Sequence, residues 1–209
     1  MLWQLLASPI EFLGLIVALL ISISWHEAAH ALAADRLGDD TPRLAGRLTL
    51  NPLAHLDPIG SLFLLFFGFG WGKPVPINSS HFKHPPLDEF KVAVAGPISN
   101  IILAIVFGLS LRLFGNAIST GILELLSVLV FINLILAIFN FLPIPPLDGS
   151  KLLRLVVPFD HYLAIEQLGL PILLGLLALS AIGVPIFSAV VSQPTTFLFQ
   201  LITGIPPAF

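Results

Sequence analysis

Five consecutive residues carry the clearest chemical signal in the chain: His26-Glu27-Ala28-Ala29-His30. On an α-helix, side chains four positions apart share one face, one turn apart. Two imidazoles at that spacing can hold one metal ion. The glutamate between them is close enough to work on a water polarised there. The plain alternative is a pair of histidines packed in a helix interface. Their setting argues against it: the pentapeptide interrupts a strongly apolar run. Ionisable groups inside an apolar helix are costly and mark function by default.

A catalytic zinc commonly takes three protein ligands and keeps a fourth position for water. The chain has no cysteine, so any zinc must use histidine and carboxylate. Most of the Asp and Glu residues fall at helix ends or in polar loops, as solvated groups do. Asp148 stands apart, flanked by apolar residues, behind a proline-rich break and ahead of Gly149. Unwound backbone at membrane depth is tolerated where it is buried in protein or lines a water cavity. Such a break lets a carboxylate approach a neighbouring helix. Asp57 is the second candidate. His55, beside it, caps the segment that follows or lines a water path. His81, His84 and His161 read as solvated, and Asn133 as an interhelical hydrogen-bonding group. Asn100 stays open between that role and one in the site.

The elements that must position these groups belong to a membrane protein. The chain is 56% hydrophobic and 10% charged, with mean hydropathy +0.99, where soluble domains carry about 25% charged residues. No basic tract points to nucleic acid. The expected architecture is an all-α polytopic membrane protein. It has about five transmembrane helices, a re-entrant segment and a short β element in one domain, residues 1–209. The first helix runs from about Pro9 to Leu37 and is read as retained in the membrane, not as a cleaved signal. Asp39-Asp40-Thr41-Pro42 is a turn. Arg43–Leu50 alternates apolar and polar residues and reads as a short strand. The apolar run Ile59–Trp71 has 13 residues, short of the roughly 20 a span requires. A second helix covers about Leu87–Phe114, kinked at Gly96-Pro97, and a third covers about Thr120–Phe141. A short helix restarts over Asp148–Val157. A fourth span covers about His161–Ala181, and a last apolar segment, Val184–Ile202, is broken at Gln193-Pro194.

Three motifs together resemble the site-2 protease family of intramembrane zinc metalloproteases. They are His26-Glu27-Ala28-Ala29-His30, Ala95-Gly96-Pro97-Ile98-Ser99-Asn100, and Asn140-Phe141-Leu142-Pro143-Ile144-Pro145-Pro146-Leu147-Asp148-Gly149. Asn51-Pro52-Leu53-Ala54-His55-Leu56-Asp57-Pro58 and Lys73-Pro74-Val75-Pro76 look like compact bacterial members. The match covers most of residues 9–157, leaving 158–209 as C-terminal helices. The resemblance implies that His26, His30 and Asp148 bind one Zn2+ and that Glu27 is the catalytic acid/base. It also implies that Asn140 holds the substrate backbone. No PDZ domain lies between the motifs, and no nucleotide-sensing module follows them.

The ligand set makes a topological demand. If Ile59–Trp71 crossed the membrane, Asp148 would lie opposite the His pair, and the nine Lys and Arg would divide four to five. If it dips and returns, Asp148 arrives on the same side and only Arg112 stands apart, an eight-to-one division. Cytoplasmic loops carry the Lys/Arg excess. The re-entrant reading therefore puts the active site toward the cytoplasm and the N-terminus outside, in a multi-pass protein of the cell membrane. The partners expected are the bilayer and transmembrane protein substrates, unfolded locally for cleavage. The strand Arg43–Leu50 is read either as an edge that pairs with their exposed backbone or as a structural hairpin edge. A membrane metal-ion transporter is the alternative, and it requires further polar positions along a path through the bilayer.

Overall fold

The structure, a computed structural model, describes residues 9–67 and 72–207 and is predominantly helical. Helix α1 (Pro9–Arg36) starts at a proline and ends where Gly38 takes φ +106°. The Asp39 N–H closes on Ala34 O at 3.0 Å, the six-to-one bond of a glycine-terminated helix. Asp39 is fully buried and accepts hydrogen bonds from the Thr41 and Asn78 amides (3.1 and 2.8 Å) and from His81 (3.1 Å). Burial pushes its carboxyl up, but those bonds outweigh burial and hold it below the usual range. His81 is thus tied into the end of α1 and is not a freely solvated loop residue.

The expected strand Arg43–Leu50 is not there. Thr41–Leu44 is a single helical turn, α2, followed by a turn at Gly46 (φ +69°) and a bend. Pro42, in the first turn, favours helix initiation, and the Arg47 N–H returns to Pro42 O at 2.8 Å. The burial pattern also runs against the alternation. Leu44 and Leu50 are exposed, whereas Arg47 is buried. Its guanidinium donates to Ala54 O, to Lys73 O at 3.3 Å and to Pro74 O at 3.1 Å. Among the described residues the one β feature is an isolated antiparallel bridge between Leu56 and Gly72. The Lys73 N–H adds a bond to His55 O at 2.8 Å. Between those two points lies α3 (Pro58–Phe67), ten residues long, a rise of about 15 Å. Residues 68–71, the end of the expected Ile59–Trp71 run, lie outside the described residues. Asp57 caps α3, its Oδ1 accepting from the Gly60 amide at 2.7 Å, so the second candidate ligand is occupied elsewhere.

Helix α4 (Pro85–Phe114) begins two residues before its expected start, with Pro85 and Pro86 in its first turn, and contains Pro97. Helix α5 (Thr120–Asn140) ends at the proline-rich break. A 3-10 turn, Asp148–Leu152, then leads into α6 (Leu153–Val156). Helix α7 (Phe159–Ala181) follows. A π turn, Ser188–Ser192, runs into α8 (Gln193–Thr203). The expected break at Gln193-Pro194 is therefore a continuous helical path. The wider turn falls just where the missing Pro194 N–H leaves a carbonyl without its partner.

Among the described residues, four helices are long and apolar enough to cross a membrane: Ile10–Arg36, Pro85–Ala117, Thr120–Asn140 and Phe159–Ala181. The first three pack together, and α8 joins them where Phe199 meets Ala104, Leu111, Val130 and Leu134. Helix α7 is peripheral. Its start is held at the Asp148 end of the bundle, where Lys151 Nζ donates to Tyr162 Oη at 3.2 Å. The turn after it brings Phe187 to Phe139, ring centroids 6.2 Å apart, at that same end. From there α8 runs to the opposite end, where Arg112 donates to Leu201 O at 3.0 Å. Helix α7 keeps the length and apolar composition of the expected fourth span, here at the edge of the bundle.

Arg47→Ala removes the guanidinium donor that three carbonyls of the loop over the site share. It should cost about 2–4 kcal/mol and open residues 47–78 to protease. Arg47→Lys should not rescue, because one ammonium lacks the fork that reaches all three oxygens. Wild-type protease resistance and thermal midpoint in Arg47→Ala would refute this role.

Candidate metal centre

The unbroken α1 places His26 and His30 on one face, and both are buried. Their rings meet edge to face at 87°, with Nε2 of one 3.0 Å from Nε2 of the other. Helix α4 packs against that face at Gly96. A Cβ there would lie 2.7 Å from His26 Cε1 and nearer still to the His30 ring, so only glycine permits the approach. One helical turn on, Asn100 Oδ1 accepts from His26 Nδ1 at 2.6 Å. The Val92 carbonyl accepts from His30 Nδ1 at 2.8 Å.

These partners assign the tautomers. Asn100 Nδ2 donates to Ser22 O (3.1 Å) and to Asn133 Oδ1 (2.8 Å), which leaves its Oδ1 for His26. Asn133 is fixed in turn, donating to Ser22 Oγ and Leu129 O at 2.8 Å each. With protons on both Nδ1 atoms, neutral His26 and His30 present bare lone pairs at Nε2.

Asp148 enters from the proline-rich break. Its Oδ2 is 3.1 Å from His26 Nε2 and 3.4 Å from His30 Nε2. Gly149 lets the break fold this tightly, since a Cβ there would sit 2.7 Å from Leu142 O. Asp148 Oδ2 is buried and has no hydrogen-bond donor. Three electron-pair donors thus converge with nothing between them to share. A cation resolves that conflict. Tetrahedral zinc with bonds near 2.0–2.1 Å keeps its donors about 3.3 Å apart, close to the three separations found. The residues fit a zinc ion.

Glu27 lines a cavity of about 310 Å³ together with His30, Asp148, Glu89, Lys151 and Arg154. Its carboxylate has no hydrogen-bond partner among the described residues. Asn140 donates to Leu136 O in its own helix at 2.9 Å and does not belong to that cavity wall. Sequence reasoning read Asn133 as an interhelical hydrogen-bonding group, and so it is: it orients Asn100, the residue that orients His26. The same reasoning passed over Glu89 as a helix-end carboxylate.

A family model described as Peptidase family M50 matches residues 108–180, a span that includes Asp148 and stops short of the pentapeptide. YwhC of Bacillus subtilis is 45% identical over 151 residues, 69% of each chain. Rip2 of Mycobacterium tuberculosis is 34% identical over 157 residues, 72% of this chain and 60% of its own. MJ0611 of Methanocaldococcus jannaschii is 36% identical over 97 residues, 46% of this chain and 49% of its own. All three are provisionally named zinc metalloproteases. No solved structure matches.

Asn100→Leu removes the acceptor that sets the His26 tautomer. The expected outcome is a loss of zinc affinity of about 10- to 100-fold, read by competition with a chelator, with helix content unchanged. Equal affinity in the variant would show that Asn100 does not act through His26.

Proposed function

The chain belongs to peptidase family M50, the site-2 protease family of zinc metalloproteases, and from that premise we propose that His26, His30 and Asp148 hold the zinc and Glu27 moves the protons of peptide-bond hydrolysis. One observation carries the assignment: two histidine lone pairs and an unpartnered carboxylate oxygen are aimed at a common point. Zinc held there would supply a Lewis acid able to polarise a peptide carbonyl and acidify a water. Glu27, one residue from His26 and facing the cavity, takes a proton from the water as its oxygen adds to the carbonyl carbon. It then gives that proton to the amine nitrogen as the C–N bond breaks. Asn100 and Val92 keep the imidazoles in the tautomer this requires. Asn140, at the end of α5, is assigned to the substrate backbone by the family motif. Its present bond to Leu136 O would have to open for that.

The substrates are transmembrane segments of other proteins. A helix keeps its carbonyls in backbone hydrogen bonds, so the cleaved stretch must be unwound before it reaches Glu27. A transporter reading has little support. Beyond Ser22, Asn100 and Asn133, α4, α5 and α8 meet in Ala104, Leu111, Val130, Leu134 and Phe199, which offer an ion no ligands.

We place the site toward the cytoplasm, with the segment containing α3 entering and leaving the membrane on that side. The Leu56–Gly72 bridge supports this, because the two ends of the segment lie side by side. The Lys/Arg distribution supports it independently. A reporter fused after Asn78 should give a cytoplasmic signal, and an extracellular one would defeat the topology.

Glu27→Gln should retain one zinc per chain and lose about 10²- to 10⁴-fold in turnover. Metal analysis beside a cleavage assay on a single-span substrate checks both. Wild-type turnover in that variant would end the protease assignment of Glu27.

A further inference from the structure

An extended substrate in the cavity exposes N–H donors and C=O acceptors that a lipid-walled site must satisfy. With no strand at Arg43–Leu50, those partners must come from elsewhere. Within the cavity wall, Glu89 and Arg154 form a second polar centre beside the metal ligands. Glu89, in the first turns of α4, is buried to 7% exposure. Its Oε2 is held by Arg154 Nη1. Its Oε1 is buried with no donor at all. Arg154 lies six residues beyond Asp148 on the same segment and rests over the Tyr162 ring, 5.5 Å from its centroid. Its Nε and Nη2 have no acceptor among the described residues.

We propose that Glu89 and Arg154 form a main-chain clamp for an extended substrate, Glu89 Oε1 accepting a peptide N–H and Arg154 donating to a peptide carbonyl. The charges favour a neutral ligand group. Arg154 already compensates the Glu89 carboxylate, so a cationic side chain is not required, whereas an uncharged donor satisfies Oε1 without adding a buried charge. An acceptor and a donor side by side match the paired groups of an extended chain, as a sheet edge does. The location fits as well. Glu89 stands three residues before Val92, whose carbonyl holds His30, and Arg154 follows Asp148 on its segment. The clamp therefore positions the peptide relative to the metal ligands from both sides.

This inference rests on the protease reading, and the test separates the two. The zinc-loaded full chain in detergent is given a single-span peptide substrate and a set of analogues. In each analogue one amide near the cleaved bond is replaced by an ester, which deletes that N–H. At one position the ester should raise KM for the wild type about tenfold. In Glu89→Ala the same ester should change KM less than about twofold. Because Glu89→Ala leaves the half-buried Arg154 without its partner, the paired variant Glu89→Leu/Arg154→Leu is measured alongside and should behave the same way. Zinc content should stay at one per chain in both. A merely structural tie between α4 and the Asp148 segment would lower zinc content or thermal stability and leave the ester effect unchanged. An ester penalty equal in wild type and both variants at every position overturns the clamp and leaves the protease reading intact. A zinc-loaded wild type that cleaves no substrate overturns both.

Discussion

Three electron-pair donors held face to face in a poorly hydrated interior are the constraint around which this molecule is arranged. Left alone, His26 Nε2, His30 Nε2 and Asp148 Oδ2 repel one another or capture protons. Each is nevertheless held in place from behind. Asn100 and Val92 take the far side of the two imidazoles, and Ser22 and Asn133 take the remaining groups of Asn100. This is why three helices meet where they do. Gly96 brings α4 within reach of α1, and Asn133 on α5 closes the network. The polar chain is fully satisfied except at the point where the three donors converge, which could hold a cation. Such satisfaction separates a functional buried network from a packing error.

The same accounting explains the irregular parts. In lipid, backbone that leaves a helix must find partners within the protein. The loop over the site finds three of them in one side chain, Arg47, which takes the carbonyls of Ala54, Lys73 and Pro74. The proline-rich break solves the problem differently. Its prolines at 143, 145 and 146 lack an N–H to satisfy. Gly149 allows the chain to turn back against Phe141 and Leu142. Asp148 can therefore leave its helix without exposing a ladder of orphaned donors.

This distribution decides what was legible in the sequence. The i, i+4 pair, the apolar spans and the proline break are local patterns with local causes, and the structure has each within a residue or two of its expected place. Arg43–Leu50 failed because eight residues of alternation can arise without a sheet. The deciding residues were Pro42, which starts a turn of helix, and Gly46, which stops it. Arg47 then inverted the pattern by going inward to bind carbonyls some 26 residues away in sequence. No periodicity reports such a bond. The packing of α7 was equally hidden. Its composition suits a span, but its place at the edge of the bundle depends on contacts such as that of Tyr162 with Lys151, which no local pattern reports.

Glu89 and Arg154 extend the point from structure to chemistry. A charged residue in the first turn or two of a helix normally reads as solvated, and by position alone Glu89 was indistinguishable from Asp88, one residue earlier. Asp88 is fully engaged, accepting from the His84 amide at 2.9 Å and from Lys91 at 2.8 Å. Glu89 shares its burial and lacks a donor for one oxygen. Two adjacent carboxylates on one helix therefore differ in their unmet hydrogen-bonding capacity, and Glu89 is the one that lines the cavity. Asp148 differs from Asp57 in the same way: Asp57 has the Gly60 amide to cap, while Asp148 Oδ2 has nothing but two imidazole lone pairs in front of it. Around this cavity, unspent acceptors mark where missing partners belong.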